Sequence, residues 1–382
     1  MMFSPPHGLG AVGETLAGLA MVYAMTAWYA VRRSAERREA PQGSQPRVTL
    51  LKPLCGAEAD LHDCLRSFCD QHYPDFQIVF GVADAADPAV AVVRRLQAEF
   101  PDLDLCLVVD PRQHGASRKV SNLINMMPAV RHDYLVLADS DVTVQRDYLR
   151  RVVVPLLDPA VGIVTCAYRG KPRPGFWSVL GALFINEWFM PSVRVAALSG
   201  SRDFAFGVTI AIRRQALAGL GGFEAIANQL ADDYRLGELT RRAGLLTVLS
   251  DVVVATHVDE PSFKSLIRHE LRWLKTIRVV RPWGFALSLV TFGVPVAALG
   301  GLLAGGSSAA LTMLAVTALA RLMVHYSVRE STDPAWHWLI LPARDMLSVA
   351  LWALSFVTRR VHWRNDHYQV ARDGSAQLVV RI

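Results

Sequence analysis

Residues Leu9 to Val31 form an almost unbroken apolar run in which Glu14 is the single charge, and Arg32, Arg33, Arg37 and Arg38 follow it at once. A stretch of about 20 apolar residues is what a membrane-crossing helix needs, and a chain that carries one has few other ways to hide it. A cleavable leader places its charge ahead of the apolar stretch and a small-residue cleavage site behind it. Here the charge comes after, so residues 1–33 read as an uncleaved anchor. Arginines gather on the cytoplasmic side of spanning helices, which puts the N-terminus outside and the chain beyond Arg32 in the cytoplasm. Ala40–Arg47, APQGSQPR, is a Pro/Gly/Ser linker within residues 34–47.

A second apolar block starts after Trp283. Gly284–Gly306 and Ser307–Val324 are span candidates, joined by the uncharged turn Gly305-Gly306-Ser307-Ser308, with Arg321 intruding near the end of the second. A third stretch, Pro334–Val357, carries Arg344-Asp345 in its middle and runs into Arg359-Arg360. Were it to span, those arginines would be exported against the charge rule. Residues 284–358 therefore read as two spans and an interfacial or re-entrant segment, with a basic cytoplasmic tail over 359–382. These blocks explain why 52% of residues are hydrophobic and only 19% charged. The composition excludes a disordered chain and a disulfide scaffold. The net charge of +6 invites a nucleic-acid partner. The basic residues, however, cluster beside apolar segments and form no separate patch with stacking aromatics, so no nucleic acid is expected.

Between the blocks, Val48 to Pro282 has the alternation of a soluble α/β domain. Short β-rich runs recur at Val48–Leu51, Gln77–Val82, Leu105–Val109, Tyr134–Ala138, Gly162–Cys166, Ala205–Ala211 and Leu246–Leu249. Helical stretches such as Leu61–Cys69 and Ala89–Glu99 separate several of them, which argues for a mainly parallel, layered sheet over residues 48–262. The five cysteines lie in this region without CxxC or zinc spacing, and read as reduced structural thiols.

Open α/β sheets bind ligands at the carboxyl ends of their strands. Three acidic clusters fall there: Asp84 and Asp87 after Gln77–Val82, Asp139 and Asp141 after Tyr134–Ala138, and Asp232-Asp233 in a loop that opens a helix. Each pair alone is better explained by a helix cap or a solvated turn. Together, in order, they suggest hard oxygen ligands for Mg²⁺ or Mn²⁺ bound to a diphosphate, with Asp139 and Asp141 as the metal pair. A small polar loop, His114 to Lys119 with Asn122, opens a helix where backbone N–H groups and a lysine suit a nucleotide.

Residues 263–283 form a basic amphipathic helix. Lys264, Arg268, Arg272, Lys275 and Arg278 fall on one stripe, opposite Leu266, Ile267, Leu274 and Ile277. Directly before an apolar block, such a helix suits the headgroup layer. Arg272 carries the planar fork that fits phosphate oxygens. Trp273 points off the stripe, as the floor of an acceptor pocket or an interfacial anchor.

The order of VTLLKP (Val48–Pro53), Asp84/Asp87, RKVSN (Arg118–Asn122), Asp139-Ser-Asp141, Asp232-Asp233-Tyr234 and Arg272-Trp273 resembles the membrane-bound GT-A glycosyltransferases of family 2-like and family 21 type, with their D,D,D,(Q/R)xxRW signature. Within them the chain resembles ceramide glucosyltransferases and their bacterial hopanoid-biosynthesis-associated relatives. LKPLCGAE (Leu51–Glu58), HGASRKVSNLINM (His114–Met126) and RHELRWLKTIRVVRP (Arg268–Pro282) look like the hopanoid group in particular. The resemblance covers Val48 to Arg281 and the hydrophobic layout.

It implies that Asp84 and Lys119 hold uridine, Asp87 supports the nucleotide-sugar site, and Asp139 binds metal–diphosphate with Asp141 assisting. Asp233 would be the general base, and Arg272 and Trp273 would stand near the leaving diphosphate and the acceptor. Two positions depart from the pattern: His269 replaces the usual Gln or Arg, and Asp232 replaces Glu. The resemblance also implies an inverting transfer from a UDP-sugar to a membrane lipid alcohol in the bacterial inner membrane. N-acetylglucosamine and bacteriohopanetetrol come first; ceramide with UDP-glucose is the alternative. A processive polysaccharide synthase would need more spans, and a non-catalytic scaffold would not need the aspartate set.

Overall fold

The computed structural model describes residues 7–34, 43–58, 60–229, 231–331 and 333–357, and the backbone of 360–363, 366–370 and 376–381. It divides into two compact units. One is helical, made of residues 1–37, 172–200 and 258–364; the other carries the main sheet, made of 38–171, 201–257 and 365–382.

The sheet has eight strands: β1 (Val48–Pro53), β2 (Phe76–Val82), β3 (Asp104–Val109), β4 (Tyr134–Leu137), β5 (Val142–Thr143), β6 (Val161–Pro172), β7 (Ile210–Arg213) and β8 (Leu246–Val258). Their order is β3-β2-β1-β4-β7-β6-β8-β5. β3, β2, β1 and β4 are mutually parallel. β7 then runs against both β4 and β6, and β5 runs against β8. The expected mainly parallel sheet is thus half right, because the second half of the sheet is mixed. β1 and β2 are apolar on both faces, as strands covered on both sides must be. Leu50 and Ile78 feed one core with Phe68, Val93 and Tyr148, whereas their neighbours Leu51 and Val79 feed the other with Val120, Leu123 and Phe223. This alternation is the pleat made visible in burial.

Three strands differ most from expectation. β6 and β8 extend to 12 and 13 residues, far beyond Gly162–Cys166 and Leu246–Leu249, because charged residues such as Arg169 and Asp251 interrupt the apolar pattern without ending the ladder. The run Ala205–Ala211 is mostly a loop closed by a Phe206–Thr209 bridge, and β7 begins only at Ile210.

In the helical unit, the N-terminal helix His7–Ser34 and the helix Ser308–Val328 are each long and apolar enough to cross a membrane. The expected span Gly284–Gly306 is instead a pair, Pro282–Thr291 and Gly293–Leu303, bent by 75°. Phe292 leaves the helical region, and Pro295 in the next turn lacks the N–H that would carry the ladder across the break. The N-terminal helix meets Gly293–Leu303 backbone to backbone. A Cβ built on Gly13 would lie 2.5 Å from the Gly300 carbonyl oxygen, and one built on Gly300 would lie as close to that of Gly13. Small residues at such a crossing are the usual device for apolar helix pairs. Residues Pro334–Val357 give a short 3₁₀ turn, Ala335–Ile340, and a 14-residue helix, Leu341–Leu354. That helix is about 21 Å long at 1.5 Å per residue, short of the ~30 Å hydrocarbon core.

Candidate active site

The carboxyl ends of β1 and β4 lie side by side where the strand order reverses, the position at which open sheets hold ligands. At the end of β1, Lys52 is fully buried, with its ammonium 3.7 Å from the centre of the Phe68 ring. Its Nζ donates to the main-chain carbonyl of Asp139, pinning the turn that follows β4. Burial pushes Lys52 down to about 7, and the charges of Asp139 and Asp141 only partly offset this.

Ser117 caps the helix Arg118–Met126, its Oγ accepting from Val120 N–H, and so fixes Lys119 in the first turn. Lys119 Nζ lies 2.6 Å from Asp139 Oδ1 and 3.7 Å from Asp232 Oδ2. Burial would lower its pKa, but the negative charges of Asp139, Asp232 and Asp233 outweigh it and hold the lysine protonated above its ordinary range. Asp233, in the first turn of Asp232–Arg242, accepts from the N–H of Gly207 at 2.8 Å and from its neighbour Tyr234 at 2.7 Å. Burial first, and the Asp232 charge second, push Asp233 up to about 6, against the pull of Lys119 and those two N–H donors.

Gly207 stands at the middle of this group. A Cβ there would sit 3.2 Å from Lys119 Nζ, 3.4 Å from Asp233 Oδ2 and 3.5 Å from Asp139 Oδ2. The structure therefore gathers Lys119, Asp139 and Asp233 around one glycine, with Asp232 beyond Lys119. Sequence reasoning placed Gly207 inside a strand and missed it. Its only signal was a glycine interrupting a β-rich run, which often marks a close approach of backbone to something else.

The other predicted residues of this unit are engaged locally. Asp141 accepts from Thr256 Oγ1 at 2.8 Å, while its main-chain carbonyl accepts from His257 N–H at 2.9 Å. Burial and the neighbouring Asp139 charge raise Asp141 above the usual carboxylate range. Asp84 accepts from Ala86 N–H, and Asp87 from the N–H groups of Gly56 and Ala89. Asp87 thus ties the loop after β1 to the start of the helix Ala89–Glu99.

Among the described residues no three His, Cys, Asp or Glu side chains converge as a complete protein cage for a metal. A divalent cation bound through one or two carboxylates and substrate phosphates needs no such cage. Asp139 and Asp141 provide that donor set, and a cation beside them would favour the ionised form that burial disfavours in Asp141. The residues fit.

Arg272 and Trp273 belong to the helical unit, on the helix Phe263–Val280 whose N-cap Ser262 accepts from Ser265 N–H. Its buried side chains are Leu266, Glu270, Leu274 and Lys275. Lys275 therefore leaves the expected basic stripe, and burial lowers its pKa. Glu270 and the fully buried Arg344 form a two-pronged pair at 2.8 and 2.7 Å, anchoring this helix to Leu341–Leu354. Trp273 packs edge-on to His269, with centroids 4.5 Å apart, and lies 6.4 Å from the stacked Phe184 ring. His269 Nδ1 is 2.6 Å from Oε1 of buried Glu260.

The solved structure of the mannosyltransferase PcManGT from Pyrobaculum calidifontis, in complex with GDP-Man and Mn²⁺, is similar over 91% of this chain and 98% of that one, with a TM-score of 0.54 and 21% identity. With the mixed α/β sheet, that likeness defines a GT-A-like glycosyltransferase fold. Ceramide glucosyltransferase 1 of Caenorhabditis elegans is 23% identical over 258 residues, which are 67% of this chain and 55% of that protein. An N-acetylglucosaminyltransferase of Rhizobium meliloti (strain 1021) is 26% identical over 319 residues, 81% of this chain and 72% of that one. The chain spans about half the length of the ceramide glucosyltransferases of C. elegans that it matches, 55% and 50%. Residues 14–376 match Glycosyl transferase family 21. The chain belongs to that family.

Proposed function

We propose that the protein is an inverting glycosyltransferase that moves a sugar from a UDP-sugar to a membrane lipid alcohol. The observation that carries this reading is Asp233: a carboxylate held by two N–H donors, pushed up to about 6, beside Lys119 and Asp139. A base poised near working pH accepts a hydroxyl proton efficiently. Asp233 takes the proton of the acceptor hydroxyl as its oxygen forms the new bond to the anomeric carbon. The bond from that carbon to the diphosphate oxygen breaks in the same displacement, and the electron pair leaves with UDP. Lys119 meets the negative charge that develops there, and Asp84 and Asp87 support the nucleotide; Arg272 and Trp273 are assigned to the leaving diphosphate and the acceptor on the resembled Arg-Trp signature alone. Asp139 and Asp141 would hold the divalent cation, Mg²⁺ or Mn²⁺, which supplies charge neutralisation at the diphosphate when bound.

The two apolar helices support a membrane location, and the arginines after Val31 support a cytoplasmic face in a bacterial inner membrane. N-acetylglucosamine and bacteriohopanetetrol are the first donor and acceptor to test, favoured by the similarity to an N-acetylglucosaminyltransferase. Ceramide with UDP-glucose is the second reading, favoured by the similarity to ceramide glucosyltransferases. Purified protein is assayed with both donors and both lipids, and products are read by mass spectrometry. N-acetylglucosaminyl-hopanoid is the expected product; glucosylceramide alone would reverse the order, and no glycolipid from any pair would end the reading.

A further inference from the structure

We propose that a cleft inside the helical unit is a binding site for an uncharged lipid whose head carries hydroxyl groups. The cleft encloses about 510 Å³, its open mouth included. The N-terminal helix His7–Ser34 lines it with Ala24 and Ala27, and the helix Ser308–Val328 lines it with Thr317 and Arg321. These are the two helices long and apolar enough to cross a membrane, and both turn apolar flanks outward, with Val22 and Leu319 each 59% exposed. Two breaks in helical geometry meet at the cleft. Phe292, at the 75° bend between Pro282–Thr291 and Gly293–Leu303, forms part of its wall. Glu187 enters from a π-helical turn, Ile185–Phe189, and such turns recur at functional sites. In an apolar layer, irregular backbone is tolerated where it is buried in protein or lines a cavity. Trp188 Nε1 donates to Thr291 Oγ1 at 2.8 Å, and its ring stacks on Phe292 with centroids 5.2 Å apart, so the wall beside the bend is flat and apolar.

Arg321, Glu187 and Asp345 give the cleft its polar end. Arg321 donates through Nε and Nη2 to Asp345, at 3.1 and 2.9 Å, and through Nη1 to Glu187. A guanidinium has five N–H groups, so one on Nη1 and one on Nη2 have no acceptor among the described residues. The other Glu187 oxygen lies 2.6 Å from His325 Nδ1. Each of the four carboxylate oxygens thus takes one hydrogen bond and keeps a lone pair to offer. Spare donors and spare acceptors stand together, and a hydroxyl group, donor and acceptor at once, is what uses both. Charge points the same way. Two carboxylates face one guanidinium, and an imidazolium at His325 would at most bring the cluster to neutrality, so a phosphate head gains no net attraction. An ammonium head would find acceptors but would meet the two spare N–H groups of Arg321. Ionisable side chains lining a cavity between apolar helices are rarely without function.

The test is native mass spectrometry of the full chain in detergent, titrated with hexadecanediol, its dimethyl ether, hexadecyl phosphate and hexadecylamine. Wild type should bind the diol about tenfold or more tightly than the other three, the difference made by hydrogen bonds to charged groups. This comparison is made on wild type and does not depend on any variant folding. Asp345→Asn, which keeps the side-chain shape, and Ala27→Leu, which fills the cleft from its apolar wall, should each weaken the diol by about tenfold. Equal affinity for diol and ether would overturn the inference, and so would tightest binding of the phosphate or the amine. Diol binding untouched by both variants, with thermal unfolding showing them folded, would overturn it too. Lipid that copurifies with the protein identifies the source. A bound hydroxylated lipid that gains the mass of one sugar on addition of UDP-N-acetylglucosamine or UDP-glucose is the transfer acceptor, and one that stays unchanged is a resident of the bilayer; either supports the site. Absence of transfer to any lipid would end the transferase reading and leave this site standing.

Discussion

Gly207→Ala separates what holds the candidate base from what holds the fold. Gly207 does not have a positive φ, so alanine adopts its backbone without strain. The new methyl carbon would meet Lys119 Nζ at 3.2 Å, Asp233 Oδ2 at 3.4 Å and Asp139 Oδ2 at 3.5 Å. All three are tips of side chains, which can each retreat by a few tenths of an ångström, and no backbone atom stands in the way. Stability should therefore hold or rise by about 0.4–1 kcal/mol, the usual gain from restricting the unfolded chain. The retreat is paid for at the site, because Asp233 takes its 2.8 Å hydrogen bond from this residue and shares the space with Lys119 and Asp139. Misplacement approaching 1 Å costs up to about a hundredfold, so kcat should fall about ten- to hundredfold. Thermal unfolding and steady-state transfer of the sugar to the lipid are measured on the same preparation. Turnover within about twofold of wild type would refute the role given to this glycine, and so would a midpoint lowered by more than about 4 °C, equivalent to roughly 1 kcal/mol or more.

Asp233→Asn should reduce turnover by about a hundredfold or more, the contribution of a positioned base. In the wild type the folded protein binds this proton more tightly than the unfolded chain. Stability from this group is therefore complete below its ordinary value near 3.8 and is lost as pH rises to about 6. The loss is at most about 3 kcal/mol, and Asn should flatten it in denaturant titrations; an unchanged slope would be the wrong result. Arg344→Met leaves Glu270 buried without its partner and should cost about 3–5 kcal/mol in unfolding experiments, most of it recovered when Glu270→Leu is added; a mild single variant would refute the anchoring role. Asp141→Asn should raise the Mg²⁺ or Mn²⁺ concentration for half-maximal activity by about tenfold or more, because affinity follows ligand charge, and an unaltered titration would remove Asp141 from the ligand set.

The acidic strand ends were legible because a carboxylate directly after an apolar run is a local pattern. Asp139 could be picked out in this way without knowing what it touches, whereas Asp233 follows the 3₁₀ turn Phe223–Ile226 and opens the helix Asp232–Arg242 instead of ending a strand. Their arrangement was not legible, since Lys119, Gly207 and Asp233 are distant in the chain and only strand order brings them together. The parallel half of the sheet was readable because helical stretches such as Leu61–Cys69 and Ala89–Glu99 alternate with the short apolar runs. The antiparallel half was hidden because β6 and β8 carry arginine, lysine and aspartate within the ladder, which dilutes the period-two signal. The loop Ala205–Thr209 shows the opposite error. Its residues have strand propensity, but the tertiary need for a Gly207 N–H at Asp233 takes precedence over it.

The charges within the apolar blocks teach a related lesson about topology. Arg321 and Arg344 are the charges that stand out within the apolar blocks, since a lone cation in a hydrocarbon layer costs about 2.5–3.5 kcal/mol on insertion scales. Neither is alone. Arg321 is bonded to Asp345 and to Glu187, and Glu187 also pairs with His325. Arg344 is fully matched by Glu270. Each arginine draws its counter-charge from a different segment of the chain, so the pairing cannot be seen by scanning any one of them. Arg32 and Arg33, by contrast, are exposed at the end of the N-terminal helix, and only such arginines carry the positive-inside signal. The internal ones do different work: Glu270 sits two residues before Arg272, so the pair that removes a charge from the apolar interior also fixes the helix that presents Arg272 and Trp273. A buried ion pair adds little net stability over a packed apolar pair, and its retention here is better explained by this registration of the Arg-Trp helix.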